Sequence, residues 1–456
     1  MLKNKKKMSV LILTIVFALA MFAGCGGGGG GGGDTTAPAG DTPATETPAA
    51  PSGGAPDTIK IGIPNPDTGP LAGFGEGTPW AEMLVVDAIN NAGGIYLSAF
   101  DTSVPIEAIF INTESDATKA AEVTAQLIDK DGVDLLIARH TPGTALPVSA
   151  MAETRGVPFV SLECPVNPWL AGGPYEWGFH SFWMVEDNCT MFMDMWEELG
   201  FGEGTKVGGI FPNDPDGLAW QPIFEKMLPE RGFELTALRT EMMQNDWTNV
   251  INDFKAAGVQ IVTGVPITPD FAGFSAAAIA QGLNFEIATM GRAFLFPSDA
   301  EANDASVIPK LTNEVWWSPW HPWTSSIDGM TCQELADAYV AEIGKPWSAP
   351  MGYKYAGMEI AVDALKRAGD NGWVPADNSL DNRVILRDAI GATDLDTMIG
   401  HIKYDPVTHV SLTDIVGGQW RVAGNRDDGS PIAEIDIVFN KTQPLVPLNG
   451  QLNIPG

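Results

Sequence analysis

Cysteine is nearly absent from this chain, with four in 456 residues. Cys25 lies at the end of an N-terminal apolar run, which leaves Cys164, Cys189 and Cys332 for the rest. Three cysteines make at most one disulfide, so no disulfide framework holds the fold. Positive charge is scarce too: 26 Lys and Arg stand against 57 Asp and Glu, a formal net charge of −31 that becomes −35 without the four lysines of the N-terminal head. A surface this acidic argues against nucleic acid as a partner and against direct adsorption on anionic lipid. The five histidines, His140, His180, His321, His401 and His409, show no His-x-x-x-His or His/Cys ligand spacing, so no metal site is expected. A Gly-x-Ser-x-Gly elbow is missing, and the glycine-rich turn near position 70 lacks the lysine of a phosphate loop. No catalytic residue and no cofactor is implied, and an enzyme is not expected. Beyond residue 23, no run is long and apolar enough to span a bilayer.

The N-terminus is where long apolar sequence does occur. Lys3, Lys5, Lys6 and Lys7 form a basic head, Met8 to Ala23 is uncharged and mostly apolar, and the run closes on Phe22-Ala23-Gly24-Cys25. That is the order of a secretory signal, residues 1–24. A cysteine straight after the small pair resembles the lipobox of bacterial lipoproteins, in which the thiol is acylated, with Phe22 where leucine is usual. The alternative is an uncleaved anchor, for which the run is short of the ~20 residues a span needs. Both place the body outside the cytoplasmic membrane and tethered to it. Residues 25–56 are Gly, Thr, Ala, Pro and Ser almost throughout. They have nothing apolar to bury, so a flexible leash is expected; roughly 31 residues of coil span about 30 Å.

From residue 57 the pattern is globular and long enough for two domains. Ile59 to Ile63 reads as a strand, and a Gly/Pro-rich turn leads into a helix whose apolar stripe is Leu84, Val85, Ala88, Ile89 and Ala92. Strands are expected at Ile106–Ile111, Val133–Ala138 and Val157–Leu162, with helices at Ala117–Lys130 and from about Ala145 to Thr154. The alternation restarts at Lys206, with strands at Val207–Phe211, Glu234–Thr240, Gln260–Gly264 and Glu286–Met290 and a helix between each pair. This is an α/β fold with two parallel-sheet lobes, each sheet covered on both faces. Ligands in such sheets bind beyond the carboxyl ends of the strands, so two facing edges would enclose one pocket.

The motifs Ile59-Lys-Ile-Gly-Ile63, Thr68-Gly-Pro-Leu71, Phe74-Gly-Glu76, Asp87-Ala-Ile-Asn90, Gly93-Gly-Ile95, Ala120-Ala121 and Leu127-Ile128 run in family order. So do Tyr355, Ala361-Val-Asp-Ala364, Leu365-Lys-Arg-Ala-Gly369, Leu386-Arg-Asp-Ala389 and Gly400-His-Ile-Lys-Tyr404. Over 57–420 the chain resembles the leucine/isoleucine/valine-type binding proteins of ABC transporters, type I periplasmic binding proteins. The resemblance implies two lobes joined by three hinge crossovers that close on a small solute. It implies lobe 1 at 57–182, lobe 2 at 183–316, a second part of lobe 1 at 317–402, and a return to lobe 2 at 403–456. It also implies a small-molecule ligand, ABC permease subunits as partners, and a lipid anchor at Cys25. A sensing receptor of the same fold, signalling to a membrane partner, is the alternative.

Relatives of this type hold an amino acid's carboxylate with Ser/Thr and backbone N–H groups on two loops of the first lobe. In this chain those loops read Arg139-His140-Thr141-Pro142-Gly143-Thr144 and Ser161-Leu162-Glu163-Cys164-Pro165, with prolines in place of the hydroxyl residues. Asp216 replaces an expected aromatic, and Gly291-Arg292-Ala293 falls where an acid should meet the ammonium. The candidate ligand-binding residues are therefore Phe74, His140, Thr141, Gly143, Thr144, Glu163, Asp216 and Arg292. Thr144 could instead be an N-cap, and His140 could be structural. Trp316, Trp317, Trp320 and Trp323 are either an aromatic wall or, the preferred reading, packing of the hinge. The rearranged polarity argues against a branched-chain amino acid and leaves an amide, a polyol or an organic acid paired with Arg292.

Overall fold

The structure, a computed structural model, describes residues 53–455; the apolar leader, Cys25 and nearly all of the leash lie outside them. Two twisted sheets organise these residues. The first has six parallel strands in the order Val410–Leu412, Gly178–Phe182, Phe159–Leu162, Leu135–Ala138, Ile59–Asn65 and Ile106–Asn112. Leu135–Ala138 and Phe159–Leu162 are buried at every position, as strands covered by helices on both faces must be. The second sheet runs Pro431–Phe439, Val416–Asn425, Leu311–Val315, Ile287–Met290, Ile261–Gly264, Lys206–Pro212 and Glu234–Thr240. Five of its strands are parallel, and the hairpin 416–439 adds an antiparallel edge.

The chain passes from the first sheet to the second after Phe182, returns after Val315 and leaves again after Leu412. This gives two lobes and three crossovers. The last passage is later than the expected 403: Val410–Leu412 pairs in parallel with His180–Phe182 of the first sheet, so the chain crosses between Leu412 and Val416. Glu186 and Asp187 occupy the first turn of the helix that opens the second lobe, Val185–Glu198, where acids complement the helix dipole.

Two sequence expectations shift in register. The helix Thr78–Asn91 buries Ala81, Glu82, Val85, Val86 and Ile89, rather than the stripe through Leu84, Ala88 and Ala92. The buried Glu82 has a partner waiting, described below. The next helix to be corrected is Thr141–Arg155, which begins four residues before the expected Ala145. Its start sits at the very end of a strand, so the loop between them is almost eliminated. Cys164, Cys189 and Cys332 are buried free thiols. Among the described residues, no helix is long and apolar enough to cross a membrane, and no cluster of His, Cys, Asp or Glu could hold a metal ion.

Candidate functional site

The carboxyl ends of both sheets meet at one small cavity. The first lobe contributes Phe74, Thr141, Pro142, Glu163 and Pro165, and the second contributes Asp216, Trp220, Val265 and Arg292. Phe182, Trp183, Glu314 and Trp316 complete it at the crossovers. About 20 Å³ remains between the lobes, room for one water-sized group. Any larger solute must hold the lobes further apart than they stand here.

The strand-to-helix turns that present these groups are tight. His140 (φ 73°), Thr141 (φ 63°), Glu163 (φ 56°) and Arg292 (φ 45°) all have left-handed backbones. A non-glycine residue there stores roughly 1–3 kcal/mol of strain, and such residues gather at ligand sites. Each follows a strand of the two sheets, so the strain is spent aiming side chains off the sheet edge.

Behind the first-lobe wall lies a buried ion network. Arg139 pairs with Glu82 and stands 3.7 Å from Glu163, whose other oxygen is 2.9 Å from His140 Nδ1. The side chains of all four are without solvent exposure. Lys354, on the long buried helix Met351–Asp370, donates to the Glu76 carbonyl nearby. Gly357 of that helix makes room for the guanidinium, since a Cβ there would lie 2.5 Å from Nη2 of Arg139. Burial pushes the Glu82 carboxyl up to about 7 and the His140 imidazole down to about 4. Burial also opposes ionisation of Glu163, but His140, Arg139 and Lys354 together outweigh it and hold its carboxyl below the usual range. Glu163 is thus a carboxylate beside the Nδ1 edge of His140, without well-formed hydrogen-bond geometry between them. Burial lowers Lys354 to about 8.

The second-lobe wall is a separate network. Arg292 donates from Nη1 to Asp216 and from Nη2 to Asp214, each at 2.6 Å. Asp214 also caps the helix Pro215–Glu230 by accepting from Gly217 N–H. The Arg292 backbone N–H donates to Glu314 Oε1 at 3.0 Å, while Glu314 Oε2 lacks a well-formed hydrogen bond, with the Trp316 and Asn188 donors beside it. Burial raises Asp216 to about 7 and Glu314 to about 8.

Five of the eight residues expected from the sequence, Phe74, Thr141, Glu163, Asp216 and Arg292, meet at this cavity. The other three stand back from its wall. His140 stands against Glu163; Gly143 lies in the first turn of its helix, outside the lining; Thr144 donates its hydroxyl to the His140 carbonyl, and His140 rather than Thr144 is the N-cap. Pro142 and Pro165 do line the cavity, so the two positions that would supply hydroxyls offer neither hydroxyl nor N–H. Nη1 and Nη2 of Arg292 each donate to an aspartate while Nε lacks a partner, so an organic acid would meet this guanidinium only beside the Asp214 and Asp216 carboxyls. Of the four clustered tryptophans only Trp316 reaches this cavity; Trp317 is packed among Gly352, Cys332 and Trp347. The aromatic missing at position 216 is replaced one turn later by Trp220, whose ring lies where a Cβ on Gly291 would overlap it.

Sequence reasoning missed Trp183, Trp220, Val265, Glu314 and the pair Glu82–Arg139. Trp183 and Val265 directly follow strands, and Glu314 is an acid inside an otherwise uncharged strand. Those signals were available.

Residues 58–427 match the family described as periplasmic binding protein. Leu/Ile/Val-binding protein homolog 7 of Brucella suis biovar 1 (strain 1330) is 22% identical over 396 residues, which cover 83% of this chain and 94% of that protein. The leucine binding protein LivK of Thermotoga maritima MSB8 superposes with a TM-score of 0.68 at 18% identity, covering 84% of this chain and 99% of that one. A fatty acid ABC transporter substrate-binding protein of Thermomonospora curvata gives 0.66 at 16% identity, covering 87% and 97%. The chain belongs to the periplasmic binding protein family.

Proposed function

We propose that this protein is an extracytoplasmic receptor that captures a small polar or charged solute by closing its lobes and delivers it to an ABC permease. No chemistry is done on the solute. The observation that carries this reading is the single cavity built from the strand ends of both lobes. Its aromatic and ionised side chains come from two bodies linked only by crossovers, so ligand affinity depends on the hinge angle. Phe74, Thr141, Glu163, Asp216 and Arg292 are the proposed contacts, with Glu163 and Asp216 held in place by Arg139, His140 and Arg292.

Leucine, isoleucine and valine are poor candidates. Their carboxylate would face Pro142, Pro165 and the Glu163 carboxylate, and a buried charge without partners costs several kcal/mol. A thermal-shift screen of metabolites should therefore miss these three. A true ligand at ~100 times its dissociation constant would add about 2.7 kcal/mol of stability. Micromolar binding of any of the three by calorimetry would refute this assignment.

Membrane attachment is proposed through Cys25. Cys25→Ser should remove the acylated thiol and move the body from the membrane fraction into the soluble extracytoplasmic fraction. Unchanged detergent partitioning of the variant would make the apolar run a true anchor.

A further inference from the structure

The interlobe cavity has the composition of a receptor for an organic cation. Its wall combines aromatic rings with acidic side chains, and its one cationic side chain, Arg292, is already engaged by two aspartates. Phe182 packs against Trp183 and Trp316 with ring centroids 4.6 and 4.9 Å apart, and Trp183 stands 5.9 Å from Trp220 and 6.3 Å from Trp316. Phe74 stacks on Trp316 at 6.4 Å from the opposite lobe. The rings of this cluster line the cavity, and an aromatic lining attracts alkylammonium groups through its negative π faces.

The charges point the same way. Three acids, Glu163, Asp216 and Glu314, line the cavity; Glu163 is ionised, and a bound cation would draw the protons from Asp216 and Glu314, whose burial favours the neutral form, while the one cationic side chain, Arg292, already faces Asp214 and Asp216. Glu314 Oε2 is buried and, with the Trp316 and Asn188 donors beside it, lacks a well-formed hydrogen bond, so it keeps acceptor capacity that a cation can use. Pro142 and Pro165 each remove one N–H group from the loops that would meet an anion. The indole N–H groups of Trp183 and Trp220 are unpartnered and suit a hydroxyl or other neutral acceptor on the same solute.

We propose that the solute is a compact quaternary or tertiary alkylammonium carrying a polar end, held by the Trp183–Trp220–Trp316 faces and by Glu314. The proposal rests on the reading of this cavity as the receptor site. Calorimetry on the purified mature protein tests it with choline and its uncharged isostere 3,3-dimethylbutan-1-ol, and with tetramethylammonium and trimethylamine as further probes. At least one of the cations should bind, choline at least 100-fold more tightly than its isostere. Trp183→Leu should weaken cation binding by about 30-fold, the loss of one desolvated cation–π contact. Glu314→Gln should weaken it as well, while keeping the volume and the Arg292 N–H acceptor.

Equal affinity for choline and its isostere, or failure of all the cations, overturns the proposal. If the cations fail and another metabolite closes the lobes, the ligand class is wrong and the receptor reading stands. If no solute in a broad library binds, the receptor reading itself falls.

Discussion

Arg139→Met is expected to destabilise the folded body by about 3–5 kcal/mol at pH 8, the loss seen when one partner of a buried ion pair is removed. The guanidinium is the shared partner of Glu82 and Glu163, and the side chains of all three are shielded from solvent. Without it two carboxylates face one another in a site that has only His140, a neutral imidazole, and Lys354 to answer them. Methionine fills much of the volume, so the loss reports charge more than packing. Glu82→Gln in the same background removes one of the stranded acids and should recover a large part of the stability. Urea denaturation of the two single variants and the double variant gives the coupling directly. A loss under about 1 kcal/mol for Arg139→Met would mean that the network is solvated and contributes little.

Stability should also fall as the pH rises from 6.5 to 8. Glu82, Asp216 and Glu359 are raised by burial to about 7, and Asp299 and Glu314 to about 8. In the unfolded chain these acids release their protons near pH 4. Between those values the folded state binds more protons, so each increment of pH favours unfolding. Buried histidines act in the opposite sense: His140 is lowered to about 4, and His180 and His321 to about 3, in each case chiefly by burial. Their contribution is complete above pH 6.5 and is lost as the pH drops through the acid range. Over the window from 6.5 to 8 the acids dominate, with Lys354, lowered to about 8, opposing them in part, and Glu314 alone accounts for about 2 kcal/mol. Thermal unfolding across that window should show a falling Tm for the wild type and a shallower slope for Glu314→Gln. A flat profile would show that these carboxyls reach water.

The two-lobe plan was legible in the chain because its signals are local. Strand and helix periods alternate in short order, glycine and proline punctuate them, and the loops beyond the strands carry Phe74, Thr141, Glu163, Asp216 and Arg292. Strand-end placement follows from topology, and topology follows from that alternation. The helix 78–91 shows where local pattern fails. Its apolar residues admit two stripes, and the one chosen by the fold includes Glu82 because Arg139 lies across from it. No periodicity argument can see that pairing, which joins residues 57 positions apart.

The same distinction separates the residues of the cavity. Sequence alone determined which side chains leave the sheet edges, and that Pro142 and Pro165 stand in place of hydroxyl donors. It did not determine which charges are free. Arg292, read alone, is a cation for an acid; in the fold it is already paired with Asp214 and Asp216. Likewise Trp183, Trp220 and Trp316 are scattered over 134 positions and form one wall only when the crossovers bring the lobes together. Chain order fixes the elements because their hydrogen bonds and apolar stripes are short-range. Charge pairing and cavity walls depend on contacts between elements distant in sequence, and those exist only after both sheets are packed.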